Sequence, residues 1–214
     1  MNRQPLIKVC GLTDPHNIEE VLALDPQYIG LIFYSRSARY IGELDPEYLL
    51  TLKNVKRTGV FVDASILEIE RMLIKYQLDA IQLHGSESPE FCGKLKTNQL
   101  IKEKGVELIK AFGINNEFDF QQLEAYMPVV DYFLFDTKTP SHGGSGKTFD
   151  WSILDRYTYS IPFFLSGGIG PDNFKDAYHI QDERLYALDL NSRFESSPGV
   201  KNISLLQQAL ENRL

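Results

Sequence analysis

The sequence predicts an α/β protein, a single-domain (β/α)8 barrel spanning residues 1–214. Three observations lead there. Short runs rich in β-branched and aromatic residues occur eight times, and longer amphipathic stretches separate them, which is the strand-helix alternation of a parallel sheet. Spread over eight units, the chain allows about 27 residues per unit, the compact end of the range for such barrels.

Taken in order, the strands expected are residues 6–10 (Leu-Ile-Lys-Val-Cys), 28–33 (Tyr-Ile-Gly-Leu-Ile-Phe), 58–62 (Thr-Gly-Val-Phe-Val) and 80–84 (Ala-Ile-Gln-Leu-His). The later four are 108–112 (Leu-Ile-Lys-Ala-Phe), 132–136 (Tyr-Phe-Leu-Phe-Asp), 163–166 (Phe-Phe-Leu-Ser) and 185–190 (Leu-Tyr-Ala-Leu-Asp-Leu). Helices are expected between them, among others at 18–24, 66–76, 89–95 and 174–179, with a last one at about 205–214. A doubly wound open sheet is the alternative, but its first strand should lead into a glycine-rich nucleotide turn. Here that turn reads Gly11-Leu12-Thr13-Asp14-Pro15, with no G-x-G-x-x-G pattern. The connection from His142 to Phe149 is glycine-rich and too short for an interdomain linker.

The bulk numbers narrow the function. With 43% hydrophobic residues the chain can bury a core without metal or disulfide help. Its net charge of -7 argues against nucleic-acid or anionic-membrane partners, so an anionic substrate needs local positive charge. Arg3 and Lys8 stand near the N-terminus without a secretory apolar run, and no stretch is apolar enough to span a membrane. A cytoplasmic setting is expected. Cys10 and Cys92 are too few and too far apart for a disulfide framework or a C-x-x-C metal site. His16, His142 and His179 lack metal-ligand spacing and are expected at the surface. Asn202-Ile203-Ser204 is read as an accidental sequon.

In a parallel barrel the chemistry sits at the carboxyl ends of the strands. Those ends offer Cys10, His84, Asp136, Ser166 before Gly167-Gly168, and Asp189 before Asn191-Ser192. Alternation puts Lys8 and Cys10 on one face of the first strand, roughly 7 Å apart. A neighbouring ammonium favours thiolate, so a lowered thiol pKa is expected against the alternative of inert packing. Asp136 closes the apolar run from Tyr132 to Phe135 and must be paired, capping or working. Ser166 to Pro171 follows a strand and precedes a helix, so bare amides at Gly167 and Gly168 can approach a phosphate. The run Asn191-Ser192-Arg193-Phe194 can open a short extra helix that shares it. Gly146-Lys147-Thr148 suggests a P-loop, but the first glycine that motif requires is Ser141. Residues 137–148 are instead expected to close over the barrel mouth.

Together these segments resemble one family, phosphoribosylanthranilate isomerase. The resemblance runs through Lys8-Val9-Cys10-Gly11-Leu12-Thr13, Ser37-Ala38-Arg39-Tyr40, Gln82-Leu83-His84-Gly85, Phe135-Asp136-Thr137-Lys138-Thr139 and the stretch from Gly143 to Trp151. It continues with Leu165-Ser166-Gly167-Gly168 and Asp189-Leu190-Asn191-Ser192, followed by Glu195 and Pro198-Gly199. It implies a TIM barrel that converts N-(5-phosphoribosyl)anthranilate to its 1-deoxyribulose 5-phosphate isomer by an Amadori rearrangement in tryptophan biosynthesis. It also implies a small phosphoribosyl substrate, no cofactor, no metal and no obligatory protein partner.

By resemblance Cys10 is the general base, Asp136 the general acid and Arg39, rather than Arg36, the anthranilate carboxylate ligand. Lys8, His84 and Asp189 line the site, and Gly167, Gly168, Asn191 and Ser192 hold phosphate. Such chemistry calls for a raised carboxylic acid and a lowered thiol in one pocket. At Arg193 the sequence departs from the family pattern, which commonly has a small residue there, and the phosphate cradle after the eighth strand is left open. The competing readings are another phosphosugar barrel enzyme, such as a metal-dependent epimerase, and a non-catalytic phospholigand-binding barrel.

Overall fold

The computed structural model describes residues 4–137 and 149–211. Eight parallel strands close into a barrel in sequence order, β1 (Leu6–Cys10), β2 (Tyr28–Ile32), β3 (Lys56–Phe61), β4 (Ala80–Leu83), β5 (Glu107–Ile114), β6 (Tyr132–Thr137), β7 (Phe163–Leu165) and β8 (Leu185–Leu190). β1 closes the ring on β8, with Lys8 opposite Asp189, and pairs on its other side with β2, where Cys10 faces Gly30. Several strands end one residue earlier than the sequence suggests. The next residue nevertheless keeps its ladder bond: Phe33 N donates to Val60 O, His84 N to Phe61 O and Ser166 N to Phe135 O.

The α-helices are α1 (Pro15–Leu22), α2 (Pro46–Thr51), α3 (Ile66–Tyr76), α4 (Pro89–Thr97), α5 (Gln99–Lys104), α6 (Phe174–Tyr178) and α7 (Ile203–Glu211). Their starts follow local chemistry. Asp14, Asp45, Ser65 and Ser88 each accept a hydrogen bond from a first-turn amide, and Pro stands just inside three of these four caps. The fifth and sixth units cover the sheet with 3-10 helices, Phe120–Val129 and Trp151–Arg156, instead of α-helices. Pro128 inside the first of these lacks the amide an α-helix would need there. α2, α5 and both 3-10 segments were not among the helices expected from the sequence: α2, α5 and the second 3-10 segment have six residues each, too few to show a 3.6-residue period, and the ten-residue first segment is 3-10 and does not follow that period.

Alternation along the strands sends side chains two ways. Ile7, Val9, Ile29, Leu31, Phe133, Phe135 and Leu188 join the layer between sheet and helices. Tyr28, Ala80, Ile109, Ala111, Leu134, Phe164 and Ala187 fill the barrel interior as a separate buried cluster. This interior plug closes the barrel below its upper end, and the polar residues Lys8, Gln82 and Asp189 lie buried above it. After β8 come a single 3-10 turn (Ser192–Phe194), the two-stranded hairpin of β9 (Glu195–Ser197) and β10 (Val200–Lys201), and α7. Among the described residues no helix is long and apolar enough to cross a membrane.

Candidate active site

A cavity opens at the carboxyl ends of the strands, with about 810 Å³ of empty space counting its mouth. Its wall contains nine of the ten expected site residues: Cys10, Arg39, His84, Asp136, Gly167, Gly168, Asp189, Asn191 and Ser192. The tenth, Lys8, is fully buried and reaches the wall from below through its partners. One side of the cavity, from β2 and β3 and the loop after β2, is largely apolar, with Ile32, Tyr34, Val60 and Val62. The side from β7 and β8 carries Ser166, the two glycines, Asn191 and Ser192. Of the surface histidines expected, His16 and His179 are exposed, whereas His142 lies outside the described residues, as do residues 138–148 of the expected closing loop.

Cys10 ends β1 pointing inward, as alternation requires, and is 3% exposed. A Cβ on Gly30 would stand 2.4 Å from its sulfur, so the strand beside it must carry glycine at that register. The lowered thiol pKa expected from Lys8 is not found. Burial pushes the Cys10 thiol up, and the opposing charges of Lys8 and Lys201 do not reverse it. Burial is the largest influence on the thiol; Lys8 still favours the thiolate, but its Nζ is shared, donating to Asp189 Oδ1 at 3.0 Å and to Gln82 Oε1 at 2.6 Å. Burial works against the Lys8 charge, but Asp189 and Cys10 together outweigh it and hold the ammonium pKa above its ordinary value.

Asp136 proves to be both capping and facing the cavity. Its Oδ1 accepts the amide of Thr137 at 2.8 Å, while Oδ2 lies 3.3 Å from His84 Nε2. The tautomer of His84 follows from its other neighbour. Lys8 can only donate, so Gln82 turns Oε1 to it and presents Nε2, a donor, to His84 Nδ1 at 3.1 Å. His84 therefore carries its proton on Nε2, the nitrogen that lies 3.3 Å from Asp136 Oδ2. Gln82 was not among the candidate residues, although it points inward between Ala80 and His84 on the same strand.

Arg39 is anchored by Glu195. Its Nε donates to both Glu195 oxygens at 2.9 Å and its Nη2 to Oε2 at 2.6 Å. The edge of the guanidinium that carries Nη1 faces away from that fork. Burial opposes the Glu195 charge, yet Arg39 and Lys201 together bring its pKa below the usual carboxylate value. Lys201, also missed from sequence, sits in a two-residue strand that shows no periodicity.

On the side formed by β7 and β8, Gly167 and Gly168 have φ of 86° and 68°, in the left-handed region. A Cβ on Gly167 would fall 2.4 Å from the Thr137 amide and 2.8 Å from Asp136 Oδ1, so the loops after β6 and β7 can touch only with glycine there. The helix that follows is five residues long and starts at Phe174, so the residues that line the cavity here, Gly167, Gly168 and Ile169, belong to the loop and not to a helix end. Asn191 likewise opens a single 3-10 turn and not a helix. Arg193 braces the two loops: Nη1 donates to Gly168 O at 3.0 Å and Nη2 pairs with Asp172 at 2.6 Å.

Known proteins share this arrangement of strands and sequence. Residues 7–212 match the family model described as N-(5'phosphoribosyl)anthranilate (PRA) isomerase. The chain is 44% identical over 212 residues to the N-(5'-phosphoribosyl)anthranilate isomerase of Parabacteroides distasonis, covering 98% of this chain and 93% of that protein. It is similar to the crystal structure of phosphoribosyl anthranilate isomerase from Thermotoga maritima, with a TM-score of 0.83, 35% identity and 98% coverage of both chains. A crystal structure of phosphoribosyl anthranilate isomerase in complex with reduced 1-(o-carboxyphenylamino)-1-deoxyribulose 5-phosphate matches at a TM-score of 0.80, 30% identity and 98% coverage of both. With a barrel-mouth cavity built from the ends of β1, β2, β6, β7 and β8, and likeness over nearly its whole length, the chain belongs to the N-(5'-phosphoribosyl)anthranilate isomerase family.

Proposed function

We propose that this cavity carries out the family's reaction, the isomerisation of N-(5'-phosphoribosyl)anthranilate to 1-(2-carboxyphenylamino)-1-deoxyribulose 5-phosphate in tryptophan biosynthesis, with Cys10 as base and Asp136 as acid. The observation that carries the assignment is that β1 and β6, on different sides of the ring, bring a thiol and a carboxyl group to one cavity. The anthranilate ring lies on Ile32, Val60, Val62 and Tyr34 with its carboxylate on the outer edge of Arg39, and the phosphate lies among Gly167, Gly168, Asn191 and Ser192. A relative bound to the reduced product supports a ligand of this class.

Asp136 gives its proton to the ribose ring oxygen as the C1–O bond breaks, and the anilino nitrogen lone pair forms the C1=N bond. The carboxylate left behind lies 3.3 Å from His84 Nε2, and the positive end of that N–H favours this transfer. Cys10 thiolate then takes the C2 proton, and the C–H electrons form C1=C2 while nitrogen regains its pair. Ketonisation of this enolamine gives the product. The free thiol resists ionisation, but once the first step is complete the cationic C1=N group stabilises a nearby thiolate, and the thiol proton passes through solvent to the Asp136 carboxylate, which restores the acid for the next turnover. A biosynthetic enzyme on a diffusible phosphosugar fits the cytoplasmic setting expected from the sequence.

Supplying the substrate and following loss of its anthranilate fluorescence tests this reading. Turnover is expected in wild type. It should fall by about 10²- to 10⁴-fold in Cys10→Ala and in Asp136→Asn, while both variants keep affinity for the reduced product. Near-normal turnover in either variant removes that residue from the mechanism.

A further inference from the structure

Behind the cavity wall stands a second buried cation that the acid-base scheme does not use. Lys201 on β10 has a side chain with no exposed surface. Its backbone is pinned at both polar groups by one side chain of α1: Lys201 N donates to Asn17 Oδ1 at 2.6 Å, and Asn17 Nδ2 donates to Lys201 O at 2.9 Å. From that fixed base Nζ donates to Glu195 Oε1 at 2.7 Å and to Asn191 Oδ1 at 2.8 Å. Glu195 is the carboxylate that grips Arg39, and Asn191 opens the turn that carries Ser192. Arg39 and Asn191 converge over Gly11, where a Cβ would lie 2.8 Å from Arg39 Cδ and 2.9 Å from Asn191 Oδ1.

We propose that Lys201 is a positioning residue of the isomerase: by holding Glu195 against Arg39 and Asn191 at the start of the loop after β8, one buried ammonium fixes the spacing between the carboxylate-binding and phosphate-binding ends of the site. A substrate charged at both ends is bound well only if both cradles are set at the right separation, and here a single side chain touches the support of each. The ammonium is suited to the task because its donors reach two acceptors without the planar fork that Arg39 already presents to Glu195. Burial lowers the Lys201 pKa, and the Glu195 charge offsets this only in part.

This inference rests on the proposed reaction, and its test separates the two. Lys201→Met keeps length and removes the charge. Steady-state kinetics with N-(5'-phosphoribosyl)anthranilate should show KM rising by about 10- to 100-fold, the scale of one or two charged hydrogen bonds, and kcat falling by less. Binding of the reduced product should be compared with that of the same compound lacking its carboxylate. Wild type is expected to prefer the first, Arg39→Ala to lose the preference, and Lys201→Met to lose most of it. Glu195→Gln, which keeps a bridging amide, serves as the second variant if Lys201→Met does not fold, and should also lose most of the preference. A folded Lys201→Met with unchanged KM and preference, or Glu195→Gln with unchanged preference, overturns the inference whatever happens to melting temperature. Failure of wild type itself to turn over substrate overturns instead the reaction on which it rests.

Discussion

At the scale of single residues, Cys10 and Lys8 show how one distance can be legible and its consequence reversed. Both residues face inward two positions apart, as the strand period requires. The ammonium is nevertheless claimed by Asp189 and Gln82, and a sulfur 3% exposed is left with a raised pKa. Alkylation of Cys10 by iodoacetamide, measured in a Cys92→Ala background, should therefore keep accelerating as pH rises through and beyond the ordinary thiol pKa. The sign follows from the shift: a raised pKa means less thiolate at any given pH than a free thiol would have. A rate that levels off below the ordinary thiol value would show that Lys8 or Lys201 wins over burial. The glycines are residue-scale constraints of another kind. Gly30 leaves room for the Cys10 thiol, and Gly167 leaves room for Asp136 and Thr137, so each stands where one of these side chains approaches a neighbouring strand or loop.

Among the elements, the loop after β7 and the turn after β8 act as one unit. Gly168 O accepts hydrogen bonds from Asn173 Nδ2 and from Arg193 Nη1, and the Arg193 guanidinium packs where a Cβ on Gly170 would be, 2.6 Å from it. The arginine that departs from the family pattern is thus a strap across the back of the glycine loop. Arg193→Ala should loosen that loop and weaken binding of inorganic phosphate and of the reduced product by about 3- to 10-fold, the worth of one hydrogen bond and a partly exposed ion pair. Isothermal titration with each ligand measures it. Unchanged phosphate affinity would mean that the loop holds its shape through Asn173 alone.

Across the whole molecule, an acidic protein accommodates an anionic substrate by placing cations behind and around one cavity. Lys8, Lys201 and Arg39 are each matched by a buried or nearly buried carboxylate, with Asp189 and Glu195 only 5% and 4% exposed at their side chains. The Lys8–Asp189 pair also sits on the seam where β1 closes the barrel against β8. Lys8→Met would leave Asp189 buried without its partner and should cost about 3–5 kcal/mol of stability, read from denaturant unfolding, whereas Lys8→Met combined with Asp189→Asn should recover much of it. Equal losses in the single and double variants would show that the Lys8 chain packs but does not pair.

The sequence by itself determined the barrel. Eight strand patterns and their alternation set which side chains face inward, and thereby which residues gather at the carboxyl ends. The motifs added the expectation of a base, an acid, a carboxylate ligand and a phosphate loop, and the named residues do meet around one cavity. What only the tertiary structure decided is how those residues are partnered. Gln82 orients His84, Glu195 and Lys201 hold Arg39, and Asn17 pins Lys201 from 184 positions away. Period and propensity record which way a side chain points along its own element. They do not record which distant side chain meets it, and in a closed barrel those meetings decide whether an ammonium serves a thiol or a carboxylate.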